Sequence, residues 1–295
     1  MCGISGVLTQ GNWAHSARAL VDGMNEALEH RGPNGCGHHD EPPVILGHRR
    51  LSIIDVKTGQ QPMSNEDGRV WVTYNGELYN FRELRAELAG KGHRFRTSSD
   101  TEVVVHAWEE WGESCVERFQ GMFALAVADY RRRILFLARD QIGIKPLYYT
   151  FNAQRFAFAS EMQALKCLPD LNAKIDIQSM DQYLRLDYVP APRTIFTNVS
   201  KLEPAHRMTV SFDGRTTGAE RYWKLRYQPE HGLSDEDWTD RLEAVLRESV
   251  RAHLVADVPF GAFLSGGLDS TTVVGLMAEE MREPVKTFSI GFEEE

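Results

Sequence analysis

The sequence predicts two fold types in series: an α+β domain of stacked antiparallel sheets flanked by helices, then one strand–loop–helix–strand unit of a parallel α/β sheet. Three observations carry this. Short apolar segments bounded by turn residues crowd the stretch from Gly121 to Ala159, as in antiparallel sheets. Segments with helical spacing are interspersed irregularly among them, so the layers are sheets covered by helices. Val258 to Leu264 is a near-continuous apolar run followed by glycines and a helical pattern, the signature of a buried parallel strand.

In chain order, Ile4 to Leu8 reads as a strand placing Cys2 at a sheet end. Leu20, Met24, Ala27 and Leu28 follow helical spacing up to His30-Arg31-Gly32-Pro33. Val44 to Leu46 and Leu51 to Ile54 read as strands around a polar Gly47-His48-Arg49-Arg50 turn. Val70 to Tyr74 is a strand running into Asn75-Gly76-Glu77. Asn80 with Glu83 resembles a capping box for a helix closed by Gly90 or Gly92. Asp100 opens a second helix through Val103, Ala107 and Trp111. Strands follow at Met122 to Tyr130, Ile134 to Arg139, Tyr148 to Phe151 and Arg155 to Ala159, then a helix from Glu161 to Leu168. Pro190-Ala191-Pro192 and Asp213 to Gly218 have loop chemistry. The expected division is a first domain over residues 2–215, a linker over 216–232 and a second domain over 233–295. The latter opens on a Ser234–Asp237 cap and ends on a strand from Val285 to Ile290.

The 295 residues suffice for two domains, and 42% hydrophobic with 25% charged residues is an ordinary globular composition. A net charge of -9 disfavours a nucleic-acid surface, so no nucleic-acid partner is expected. Cys2, Cys36, Cys115 and Cys167 form no C-x-x-C pair, which excludes the common zinc spacings and a disulfide framework. No apolar run reaches the length of a membrane span and no signal peptide precedes Cys2, so a cytoplasmic protein without membrane contact is expected. The ten histidines form no pair of histidines at i, i+4 with a neighbouring glutamate, and no metal site is assigned to protein side chains alone.

Several residue groups carry chemistry. Once Met1 is removed, Cys2 holds a thiol and a free α-amine on one residue, and such an amine, with a pKa of about 7.7–8.0, can take the thiol proton. Gly3 and Gly6 keep the surroundings of the sulfur small. Arg50 offers a fork that fits a carboxylate, although exposed arginines are commonly only solvated. Asn75-Gly76 reads either as a hairpin turn or as an oxyanion site pairing a side-chain amide with a backbone N–H. Asp100 is a helix cap or a receiver of a substrate ammonium group. Ser265-Gly266-Gly267-Leu268-Asp269-Ser270 is a tight strand-to-helix turn or an anion cradle. It lacks the P-loop lysine, suits a pyrophosphate, and carries Asp269 for a magnesium ion.

Taken together, Met1-Cys2-Gly3-Ile4, His30-Arg31-Gly32-Pro33, Arg50-Leu51-Ser52-Ile53-Ile54-Asp55, Asn75-Gly76-Glu77-Leu78-Tyr79-Asn80 and Ser99-Asp100-Thr101-Glu102 resemble the class II, N-terminal-nucleophile (Ntn) glutamine amidotransferase domain. With Asp257-Val258-Pro259 and Leu264 to Ser270, the chain resembles the glutamine-hydrolysing asparagine synthetase family almost end to end. The resemblance implies an Ntn-hydrolase fold and the start of a nucleotide-binding synthetase domain. It implies that Cys2 attacks the glutamine amide and that Asn75 and Gly76 hold the oxyanion. Arg50 would bind the substrate carboxylate, with Asp100 and Glu77 near its amino group and Ile54 lining the pocket. Leu264, Ser265, Gly266, Gly267, Leu268, Asp269, Ser270 and Ile290 would contact ATP. Glutamine, ATP with Mg2+, and aspartate are then the expected small molecules, and a homodimer the expected assembly. Relative to the family, the chain stops early at Glu295, which implies C-terminal truncation and leaves another carboxylate acceptor, such as a sugar acid, open. A glutaminase feeding a sugar-phosphate isomerase or phosphoribosyl transferase fits less well, because those partners do not use such a loop. A non-catalytic relative fits less well too, since Cys2, Arg50, Asn75 and Asp100 stand together.

Overall fold

The computed structural model describes residues 1–9 and 14–291, so the last four residues of the expected second domain, 292–295, lie outside the described residues. The chain divides into two compact units, Met1–Lys224 and Leu225–Glu295.

The first unit is built on two six-stranded antiparallel sheets. Its strands are β1 (Gly3–Thr9), β2 (Gly35–Glu41), β3 (Val44–Arg50), β4 (Met63–Ser64), β5 (Val70–Leu78), β6 (Gly121–Asp129), β7 (Ile134–Arg139), β8 (Tyr148–Phe151), β9 (Arg155–Ala159), β10 (Ser200–Lys201), β11 (His206–Ser211) and β12 (Thr216–Arg221). One sheet runs β10-β8-β9-β1-β3-β2 and the other β12-β11-β7-β6-β5-β4. Ile4, Leu8, Val44 and Leu46 of the first meet Ala124, Ala126, Leu135 and Leu137 of the second in one buried cluster. Helix α1 (Ala14–Ala27) covers the other face of the first sheet, where Val21 and Met24 pack on Val7, Ile45 and Ala157. This double cover explains why every residue of β1 is buried, glycine and serine included. Gly6 is required there, since a Cβ would stand 2.4 Å from the Phe158 ring. Helices α2 (Phe81–Gly90) and α3 (Asp100–Trp111) follow β5, and α3 packs against it. Two short helices, α4 (Met162–Leu165) and α5 (Ile177–Leu186), complete the unit. The layering is the expected α+β stack.

Four local expectations are corrected. The expected turn at Gly47-His48-Arg49-Arg50 lies inside β3, paired with β1 and β2, while Leu51 to Ile54 is loop. Buried polar residues mislead here: His48 and Arg50 point into the protein, where Thr73 and main-chain carbonyls receive them. Thr216–Arg221, expected to begin the linker, is a strand that pairs with β11, because an exposed sheet edge tolerates polar side chains. Asn80 does not cap α2; its side chain donates to Arg118 O and accepts from Gln120 N. Ser99, not Asp100, is the cap of α3.

In the second unit, Ser234 and Asp237 form a reciprocal capping box for α6 (Asp235–His253). Strands β13 (Ala262–Phe263) and β14 (Thr287–Phe288) pair in parallel and flank α7 (Leu268–Glu280). Each covers two residues, fewer than the expected Val258–Leu264 and Val285–Ile290. A ladder with one neighbour and little cover has nothing to extend it: Val250, Leu276 and Met277 form the buried cluster, whereas Phe263 and Ile290 are exposed. Among the described residues no helix is long and apolar enough to cross a membrane.

Candidate active site

A cavity of about 190 Å³ opens in the first unit where β1, β3 and β5 meet the loop after β3 and the start of α3. Its lining includes Cys2, Arg50, Ile54, Asn75, Gly76, Glu77 and Asp100, so every residue expected at the first site meets there. Met1, Gln61 and Lys145 also line it.

Cys2 sits just before β1, held by the Leu51 backbone: Leu51 N–H donates to Sγ at 3.4 Å and the thiol faces Leu51 O at 3.6 Å. Arg31 Nε donates to Cys2 O at 2.9 Å, fixing the main chain next to the sulfur. Burial pushes the Cys2 thiol pKa up, against the lowering effect of the Leu51 N–H, the chain-terminal amine and Arg50. Burial also lowers the pKa of that terminal amine, which favours its basic form.

Strand β5 supplies the opposite wall. The Tyr79 N–H, just past its end, reaches Gln120 O on the β6 side. The N–H groups of Tyr74 and Leu78 turn the other way, to Gln61 Oε1 at 2.8 Å and Asp100 Oδ2 at 3.1 Å. Strand alternation puts the Gly76 N–H on that same open edge, midway between them. A Cβ on Gly76 would stand 2.3 Å from Met122 O, so only glycine keeps β5 against β6 at this point. Beside it the Asn75 side chain is 1% exposed, and its Nδ2 has no hydrogen-bond partner among the described residues. An orphaned buried donor costs about 1–3 kcal/mol, so its presence on a cavity wall marks a place meant for an acceptor.

Two charged groups line the same space. Arg50 is buried on β3, and its fork donates to Val56 O at 3.0 Å, Ile54 O at 3.3 Å and Asp55 O. It therefore also holds the loop that carries Ile54. Asp100, at the first turn of α3, accepts from Tyr74 Oη at 3.0 Å and from Leu78 N–H. Burial raises its pKa despite those donors, leaving a carboxylate that a cation would stabilise.

Three supporting residues escaped the sequence analysis. Asp55 adopts φ 49° and accepts from Thr58 N at 2.9 Å and Ser98 N at 2.8 Å, joining the loop after β3 to the approach to α3. Burial works against it, but these bonds and Arg50 hold its carboxyl below the usual range. Gln61 is buried, with its amide divided between Tyr74 N–H and Thr101 Oγ1. Lys145 is a buried cation whose Nζ lies 3.4 Å from Met1 Sδ, its pKa lowered by burial. The Asp55 turn had a visible signal in Asp-x-x-Thr, and Lys145 stands in Gly143-Ile144-Lys145-Pro146-Leu147-Tyr148-Tyr149, a stretch that shares the family resemblance but was given no role; nothing local marked Gln61.

In the second unit, Ser265 to Ser270 links β13 to α7, with Leu264 N–H donating to Phe288 O at 2.9 Å. Gly266 has φ +81° and open space around it, and Gly267 caps α7 without a side-chain bond to the first-turn amides. Ser265 Oγ and Ser270 Oγ lie 3.0 Å apart across the loop, and Asp269 stands in the first turn. Uncapped amides at the start of a 13-residue helix, a glycine open to close approach and paired hydroxyls fit a phosphate group. Leu268 and Ile290 lie on the surface of this unit, 83% and 77% exposed.

Comparison with known proteins agrees with both units. Residues 1–223 match the family model of the glutamine amidotransferase domain, and residues 241–295 match that of asparagine synthase. Asparagine synthetase [glutamine-hydrolyzing] 1 of Bacillus subtilis is 40% identical over 297 residues, covering 100% of this chain and 46% of the relative. A putative asparagine synthetase 2 of Methanocaldococcus jannaschii is 34% identical over 316 residues, covering 99% and 60%. The chain spans about half the length of the curated relatives it matches. Among solved structures, the glutamine phosphoribosylpyrophosphate amidotransferase of B. subtilis has a TM-score of 0.56 at 18% identity, covering 94% of this chain and 64% of that one. The allosteric regulatory enzyme of purine biosynthesis has a TM-score of 0.57 at 17% identity, covering 98% and 65%. These two share the fold, which is of the Ntn amidotransferase type. The chain belongs to the glutamine amidotransferase domain family.

Proposed function

We propose that the first unit hydrolyses glutamine to glutamate and ammonia through Cys2. The observation that carries this is the orphaned Asn75 Nδ2 on the wall of the cavity that also holds the Cys2 thiol. Arg50 binds the substrate α-carboxylate, and Asp100 with Glu77 receives its ammonium group. The amide carbon is thereby presented to Sγ. Attack forms the S–C bond, and the carbonyl oxygen takes the negative charge between Asn75 Nδ2–H and Gly76 N–H. The thiol proton passes to the α-amine of Cys2, exposed once Met1 is gone, and from there to the departing nitrogen. Ammonia leaves, and water then cleaves the glutamyl thioester, returning the thiol.

The part of the second unit from about residue 233 is the ATP-binding beginning of a synthetase domain, in which Ser265 to Ser270 would hold the pyrophosphate and Asp269 a Mg2+ ion. Bound ATP supplies the activation of a carboxylate toward ammonia. Aspartate is the acceptor by kinship with the relatives named above; a sugar acid is the alternative. Cys2→Ala tests the core of the proposal. It should abolish glutamate release while leaving the melting temperature within a few degrees. Undiminished hydrolysis by a folded variant overturns it, and mass spectrometry of the active protein should show Met1 removed.

A further inference from the structure

Away from the cavity, a second cluster joins the α2–α3 connection to the outer part of α3. His93 Nδ1 lies 3.2 Å from His106 Nδ1, which in turn lies 3.2 Å from Glu109 Oε2. All three atoms fall within 4.8 Å of one another, the one such group of potential metal ligands among the described residues. His106 is 1% exposed, and His93 and Glu109 are partly buried.

The surroundings define the state of each ligand. Glu110 Oε2 faces His93 Nε2 at 3.4 Å, and Glu102 Oε1 faces His106 Nε2 at 3.9 Å. The Glu110 carboxylate at hydrogen-bond distance from His93 Nε2 suits the tautomer protonated there, whose Nδ1 lone pair is directed inward. Glu109 is oriented likewise: Asn65 Nδ2 donates to Oε1 at 2.7 Å and Arg131 lies 3.5 Å from the same oxygen, so Oε2 is the atom turned to the histidines. Two imidazole Nδ1 atoms and a carboxylate oxygen thus converge. A single proton can satisfy one pair of these atoms; one cation satisfies all three. Metal–ligand bonds of about 2.0–2.2 Å at a tetrahedral angle separate neighbouring ligand atoms by about 3.3–3.6 Å. The two observed spacings of 3.2 Å come close to that geometry.

We propose that His93, His106 and Glu109 bind a divalent transition-metal ion of the zinc class, with solvent as the fourth ligand. Two nitrogens and one oxygen favour zinc, nickel or cobalt over magnesium or calcium, which take all-oxygen sites. The ion clamps the segment before α3 to its second turn, and that segment includes Ser98 and Ser99, which adjoin Asp100. The inference does not rest on the proposed glutaminase reaction.

The test is direct metal binding to the full chain. Apo protein prepared with a chelator is equilibrated with zinc chloride, freed of excess metal on a desalting column, and assayed for zinc by mass spectrometry. Wild type should carry close to one zinc per chain in excess of that carried by His93→Ala and Glu109→Gln. Both positions are partly exposed, so both variants should fold. Zinc should also raise the melting temperature of wild type but not of either variant, while magnesium raises none. Equal zinc in wild type and both variants, as cysteines elsewhere would give, overturns the proposal. So does zinc-free wild type, or a zinc-induced shift that persists in His93→Ala.

Discussion

Asn75→Ala separates what the Asn75 amide does for folding from what it does for chemistry. The side chain is buried and its Nδ2 has no partner among the described residues. Removing it relieves a penalty of about 1–3 kcal/mol for an unsatisfied buried donor. It also empties the volume of a few heavy atoms, whose lost contacts act in the opposite sense and on a similar scale. The net change in stability should therefore lie within about 1.5 kcal/mol, or a melting shift of no more than about 3–6 °C for a unit of this size. Activity should respond very differently. A donor whose full hydrogen bond forms only to the oxyanion contributes about 2.7–4 kcal/mol to the transition state, so kcat should fall about 10²–10³-fold with KM nearly unchanged. Glutamate release measured over a range of glutamine concentrations, beside a thermal melt, reads both quantities. A kcat within threefold of wild type, at intact stability, would refute the oxyanion role. A large fall in melting temperature would refute the claim that the amide is held at a cost to folding.

Arg50→Lys replaces a fork by a point charge and should raise the KM for glutamine by about 10–100-fold, near 1.5–3 kcal/mol, with a smaller effect on kcat; an unchanged KM in steady-state kinetics would remove Arg50 from the substrate site. Asp100 has its pKa raised by burial, so the folded protein binds the extra proton more tightly than the unfolded chain, and this residue's contribution makes stability fall as pH rises through the window from the unfolded carboxylate value to the raised folded one. Asp100→Asn should flatten that part of the stability–pH curve and raise the KM for glutamine at least tenfold at neutral pH, and melts across pH with matched kinetics check both. For wild type, KM should rise as pH falls through that same window, since the ionised carboxylate is the form that binds ammonium. The 295-residue chain supplied with ATP, magnesium, aspartate and ammonia should form no asparagine, because the Ser265–Ser270 loop lies on a unit whose described core is a few residues; asparagine above a no-ATP control would contradict this.

The site was more legible in the sequence than the strands around it, for a physical reason. Cys2, Arg50, Asn75, Gly76 and Asp100 each allow an ordinary structural reading alone, and it is their combination in one chain that marks a site. Their meeting needs only that β1, β3 and β5 end near one another. Strand limits depend on tertiary partners instead. Arg49 and Arg50 look like a turn until β1 and β2 flank them, and Thr216–Arg221 looks like a linker until β11 lies alongside. Gln61 was invisible and the role of Lys145 unread, because both are set by the place where a distant loop closes on the cavity, which no local spacing records.

One consequence of the β5 edge concerns solubility. An unpaired strand edge invites pairing with another chain. Beyond the short stretch covered by β4, this edge is occupied side chain by side chain, Gln61 stopping the amide of Tyr74 and Asp100 that of Leu78. The gap left between them is one residue long, wide enough for a small molecule's carbonyl and too short to seed a foreign strand. The residues that shape the cavity thus also occupy the amides through which a foreign strand would pair. Substitutions at Gln61 or Asp100 made to alter substrate use would, by the same geometry, lengthen the free edge and move the protein toward aggregation.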